Sequence, residues 1–91
     1  LPFNLIYHPD VKSIDLPLIN TKLKDRIKKA IETRLMTVPH LYGEPLRKTL
    51  KGYWKLRVGD YRVVFKIRAN EVWILGIRHR KDVYFEMDRR L

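Results

Sequence analysis

A change of hydrophobic period partway along the chain limits the fold more than any other feature. Leu23, Ile27, Ile31 and Leu35 recur every four positions, with Ala30 beside them. Lys22, Lys24, Arg26, Lys28, Lys29 and Arg34 fill the other faces. That pattern predicts an amphipathic helix of about four turns, capped by Asn20 or Thr21. From Tyr53 the period becomes two. Tyr53–Val58, Tyr61–Arg68 and Val72–Arg78 are β-rich runs, divided by Gly59-Asp60 and by Ala69-Asn70-Glu71. Loops this short predict an antiparallel meander, against which the helix buries its Leu/Ile stripe.

Phe3–Tyr7 alternates and is rich in aromatics, so it reads as an opening strand. His8-Pro9-Asp10 breaks it and starts a short helical turn, which Pro17 ends. Pro39, Gly43 and Pro45 mark an irregular connection. The tail, Asp82–Leu91, has Val83, Tyr84, Phe85 and Met87 as anchors, and both helix and strand are open to it. The expected fold is α+β over residues 1–91 as one domain. An antiparallel sheet, made of the N-terminal strand plus a three-stranded meander, packs against an N-terminal helical hairpin.

Twenty Lys and Arg against ten Asp and Glu give a net charge of +10 in 91 residues. Self-repulsion of that size points to a polyanionic or acidic partner, although a plainly soluble basic domain has the same composition. Cysteine is absent, which removes disulfides, thiolate catalysis and Cys-based zinc sites and fits a reducing cytoplasm. No apolar run approaches the roughly 18 residues of a membrane span, so no membrane association is expected. Leu1-Pro2-Phe3-Asn4 has neither the basic n-region nor the apolar stretch of a signal peptide. A chain that starts with Leu is expected to have had a few residues trimmed or replaced.

A two-residue turn at Gly59-Asp60 sets Val58 against Tyr61, Arg57 against Arg62 and Lys55 against Val64. Lys55, Arg57 and Arg62 then share one face, with Asp60 the hairpin's only acid. Facing like charges cost roughly a few tenths to 1 kcal/mol, and a phosphate backbone is the simplest ligand to offset them. Arg78 leaves the far end of the third strand, followed by His79, the strongest acid/base candidate. His8 and His40 sit beside prolines in loops and read as surface residues. With no His-x₃-His spacing, no metal site is expected. Tyr84 can fold back over the sheet and supply a phenol. Each feature also has a plainer reading: a solvated strand face, a turn histidine, a core-anchoring tyrosine. Tyr61 and Trp73 read as packing residues.

Gly52-Tyr53-Trp54-Lys55-Leu56-Arg57-Val58-Gly59-Asp60-Tyr61-Arg62-Val63-Val64-Phe65, followed by Ile77-Arg78-His79-Arg80-Lys81-Asp82-Val83-Tyr84, resembles the RelE/ParE toxin superfamily. The likeness is to the RelE-type mRNA interferases of type II toxin–antitoxin modules, and the order of elements agrees over almost the whole chain. The resemblance implies a RelE-like fold and a toxin that enters the ribosomal A site and cuts mRNA without metal or other cofactor. The ribose 2′-OH attacks and leaves a 2′,3′-cyclic phosphate. The family's basic strand residues fall on Lys55, Arg57 and Arg62, its later arginine on Arg78 and its C-terminal tyrosine on Tyr84. In the best-known member a second lysine stands where this chain has Tyr53, and a glutamate where it has His79. On this likeness Arg57 and Arg62 stabilise phosphate, Lys55 or His79 acts as base, and Arg78 is a donor or a further clamp. Tyr84 orients the substrate or stacks on a base. Lys48, Lys51, Tyr53, Arg80 and Lys81 are the candidate RNA contacts. The implied partners are the ribosome, mRNA and an acidic, partly helical RelB-like antitoxin in a toxin–antitoxin hetero-oligomer. The antitoxin would cover the sheet or displace the C-terminal tail. The implied location is the cytoplasm. A ParE-like DNA gyrase inhibitor of the same fold, or an inactive RNA- or protein-binding relative, is the alternative.

Overall fold

The computed structural model describes residues 2–91. The period-two runs form β3 (Trp54–Val58), β4 (Tyr61–Arg68) and β5 (Glu71–His79). Their register is the one that a two-residue first turn dictates: Val58 faces Tyr61, Arg57 faces Arg62 and Lys55 faces Val64. Gly59 takes a φ of +59°, the left-handed value that such a hairpin needs at its first central position. Ala69 adopts +52° in the second turn, at a steric cost of about 1–2 kcal/mol because it carries a Cβ.

Two short strands, β1 (Asn4–Tyr7) and β2 (Glu44–Pro45), flank the meander, and the sheet runs β1-β5-β4-β3-β2. β1 pairs with β5 in parallel, Asn4 against Glu71 through Tyr7 against Ile74. The expectation of an antiparallel sheet therefore fails at this edge. The chain leaves β1, crosses through its helices to the far edge of the sheet and returns by way of β3 and β4 to β5, which runs in the same direction as β1, the long connection that parallel pairing requires. At the other edge, β2 adds two residues beside Trp54 and Lys55.

The helix α1 (Thr21–Ala30) begins at Asn20, whose Oδ1 accepts from Leu23 N–H at 2.9 Å. It continues into a π-helical turn, Ile31–Leu35. Apolar residues spaced by four drift about 40° per step around an α-helix. The wider final turn corrects that drift, and Ile27, Ile31 and Leu35 are all buried. They pack on Leu56, Val58, Val63, Phe65, Val72, Ile74 and Ile77 from one face of the sheet. The other arm of the expected helical hairpin is shorter than a full helix. It is a π turn, Val11–Asp15, followed by a 3₁₀ turn, Leu16–Leu18, because Pro17 has no N–H to extend a ladder. The one-turn α2 (Pro39–Tyr42) lies in the irregular connection.

The tail is a helix, α3 (Val83–Arg90), lying across the opposite face of the sheet. Val83 and Met87, one turn apart, close a second core with Val64, Leu75 and Leu50. Gly76 lets α3 come close, since a Cβ there would collide with the side chains of Met87 and Arg90. Beside it is a β-bulge: Val64 pairs with Gly76 and Phe65 with Ile74, so Leu75 is an extra residue. The extra residue reverses the alternation. Ile77 stays on the α1 side, and Arg78 turns to the α3 side directly across from Arg62.

Candidate active site

The bulge and the two-residue turn together bring three arginines abreast. Arg57 on β3 faces Arg62 on β4, which faces Arg78 on β5, all on the α3 side of the sheet. One step nearer the middle, Lys55, Val64 and Gly76 form the next row. The first turn of α3 brings Tyr84 over it. Lys55 Nζ donates to the Tyr84 phenol oxygen at 3.1 Å and stands 5.8 Å from the ring centroid. The cluster expected from the sequence thus shares one face, apart from His79.

The three guanidiniums are held in different ways. Arg57 is exposed and makes no ion pair among the described residues. Arg62 is only 8% exposed, and its Nη1 donates to the carbonyls of Gly59 at 3.0 Å and Tyr61 at 2.9 Å. The hairpin's own turn therefore orients this side chain. Arg78, 13% exposed, stands 3.7 Å from Asp15 and 3.6 Å from Glu86, within Coulombic range of both but beyond hydrogen bonding.

Asp15 is fully buried and is satisfied elsewhere. It accepts from Arg90 Nη1 at 2.7 Å, Arg90 Nη2 at 3.0 Å and Ile77 N–H at 2.9 Å. Arg90 also donates to Leu75 O at 3.1 Å and lies 3.5 Å from Asp10. Burial pulls the Arg90 pKa down, but the bonds to Asp15 and the charges of Asp15, Asp10 and Glu86 outweigh it and raise the pKa above its ordinary value. Sequence reasoning missed both residues. The available signal was an acid set between two apolar residues, Ile14 and Leu16, in the short helical turn before Pro17.

His79 faces away from the cluster. Its ring meets Tyr61 edge-on at 5.5 Å on the α1 side, and Nδ1 accepts from Lys81 N–H at 3.1 Å. Strict alternation put His79 and Arg78 on opposite faces, and the bulge decided which of them joined Arg62. Arg80 pairs with Asp60 at 3.6 Å, both exposed, and Lys81 follows in the turn before α3. Lys48 and Lys51 are exposed around a 3₁₀ turn tied to α3 through the Thr49 hydroxyl, which donates to Asp88. Tyr53 stacks beside Lys66, whose Nζ is 5.7 Å from the ring. Among the described residues no group of three His, Asp or Glu side chains is placed to hold a cation, and no helix is long and apolar enough to cross a membrane.

A five-stranded sheet with a basic row beside a C-terminal helix defines a small α+β protein. Its backbone superposes on the toxin–antitoxin complex RelBE2 from Mycobacterium tuberculosis with a TM-score of 0.80. Identity there is 26%, over 90% of this chain and 95% of that one. It also superposes on a free-state double mutant of the Escherichia coli toxin RelE at 0.75, with 15% identity over 100% and 99% of the two chains, a likeness of fold. In sequence it is 35% identical to the M. tuberculosis protein named Toxin RelE over 72 residues, 77% of this chain and 74% of that protein. Residues 7–84 match the family described as "ParE toxin of type II toxin-antitoxin system, parDE". The chain belongs to this RelE/ParE family of type II toxins.

Proposed function

We propose that the protein is a ribosome-dependent mRNA endoribonuclease. The observation that carries this reading is the Arg57–Arg62–Arg78 row standing next to the Lys55–Tyr84 pair on one face. Cleavage by an internal 2′-OH needs a proton acceptor at that hydroxyl and positive charge around the phosphorane. Lys55 Nζ takes the 2′-OH proton. The 2′-oxygen then bonds to phosphorus, the P–O5′ bond breaks, and the 5′-oxygen takes its proton from water. Arg57 and Arg62 hold the non-bridging oxygens. Arg78 donates a hydrogen bond to the leaving oxygen. Tyr84 orients Lys55 and stacks on a neighbouring base. His79, on the other face, is not the base in this reading.

The other partner is an acidic antitoxin. Several structural relatives are toxin–antitoxin complexes, among them RelBE2 and a RelB–RelE complex from Methanococcus jannaschii. A cleft of about 460 Å³ on the α1 side supports it, lined by the apolar Val11, Leu16, Ile27 and Ile31 and by three lysines, Lys12, Lys24 and Lys28, against one acid, Asp25. An amphipathic segment with acidic flanks fits such a site.

Mapping mRNA 5′ ends in cells that express the chain tests the nuclease. New ends within translated codons are expected, and Arg62→Ala or Arg78→Ala should sharply reduce both the ends and growth arrest. The match to the ParE family favours one second reading, inhibition of DNA gyrase. That would give a DNA-damage response with intact mRNA.

A further inference from the structure

Asp15 and Arg90 are assigned to neither substrate nor catalysis above, and Asp15 lies within 3.7 Å of Arg78. Asp15 is a buried carboxylate with two guanidiniums within reach. Arg90 takes it with both forked nitrogens, at 2.7 and 3.0 Å. Ile77 N–H takes a further lone pair at 2.9 Å. Arg78, at 3.7 Å, is left with the field of the carboxylate and without a hydrogen bond to it.

Among the described residues Arg78 donates no side-chain hydrogen bond to the protein, and no buried side-chain nitrogen is unsatisfied. Its donor groups therefore reach the surface. A nearly buried cation with its donors unspent suits a phosphate or a leaving oxygen. We propose that Arg90 is a positioning residue that occupies Asp15 and so keeps Arg78 from closing onto it.

The alternative state is well defined. A buried carboxylate that loses its partner recruits the nearest cation, because a buried charge without one is strongly unfavourable. Without Arg90, Arg78 moves in by less than 1 Å to make a direct bond with Asp15, and the arginine row loses its third member. Arg90 also ends α3, the helix that carries Tyr84, so a purely structural role has to be separated from this one.

The inference rests on the arginine row being the phosphate site, and the test separates the two ideas. Arg90→Met and the double variant Asp15→Asn/Arg90→Met are compared with wild type on programmed ribosomes. Their melting curves are recorded, together with the Arg78 Nε–H NMR signal during titration with inorganic phosphate. The single variant is expected to lose about 100-fold in kcat, the scale of one missing transition-state donor, with KM changed little. It should also lose the Arg78 phosphate response. The double variant keeps an acceptor for Ile77 N–H but no carboxylate to capture Arg78. It should recover cleavage to within about threefold of wild type, about 0.65 kcal/mol, and regain the response, although the ion pair is gone.

A single variant that cleaves like wild type overturns the proposal, as does a folded double variant as inactive as the single one. If Arg90→Met does not fold, the double variant decides alone. If wild type cleaves no mRNA yet the NMR pattern holds, the nuclease reading fails and the positioning role stands.

Discussion

Arg62 shows how one side chain serves fold and site together. Its Nη1 bonds to Gly59 O and Tyr61 O tie it to the turn that sets the β3–β4 register. Arg62→Ala should lower activity about 100-fold and stability by about 1–2 kcal/mol, read by ribosome assays and by urea denaturation. Arg62→Lys should keep the charge, lose the fork and fall between the two. Tyr84→Phe removes the acceptor of the Lys55 bond but keeps the ring. It should leave stability within about 0.5 kcal/mol and reduce kcat more than KM in single-turnover cleavage. Lys55, Arg57 and Arg62 were legible in the sequence, because a two-residue turn leaves only one way for them to face. Arg78 and His79 were not. Their faces depend on one extra residue, Leu75; Gly76 hints at a bulge but does not say which residue is extra.

Among the elements, α3 decides whether the basic row has a neighbour. It rests on Val83 and Met87 and on the space left by Gly76. Gly76→Ala puts a methyl where the Met87 side chain lies, so a loss of about 1–3 kcal/mol is expected. For a domain of this size each kcal/mol lowers Tm by about 4–8 °C, which a thermal melt reads directly. Cleavage should fall with it, because the displaced helix carries Tyr84 away from Lys55. The α1 helix was legible because four apolar residues spaced by four, with polar Asp25, Lys29 and Thr33 midway between them, fit a helical stripe and not a strand face. The tail was ambiguous because Val83, Tyr84, Phe85 and Met87 satisfy both periods, and only the sheet face beneath chooses between them. The parallel pairing of β1 was equally hidden, since edge partners are set by the path of the chain and not by local alternation.

Over the whole molecule, the surplus of ten positive charges predicts salt-sensitive RNA binding. If the three arginines each hold a phosphate, the affinity for single-stranded RNA should fall with a log–log salt slope of about −2. Arg57→Ala should reduce that slope by about 0.7 and leave the fold intact, since Arg57 is exposed and unpaired among the described residues. The excess charge itself was plain in the composition. Its convergence under α3 needed the bulge, the II′-like turn at Gly59 and the buried Asp15 in place at once. The most direct measurement uses purified ribosomes and an mRNA with a single 2′-deoxy nucleotide at the codon in the A site. Cleavage at the all-ribose codon with a 2′,3′-cyclic phosphate end, and none at the deoxy codon, is the predicted result. Equal cleavage of both transcripts, or of neither, would contradict the account.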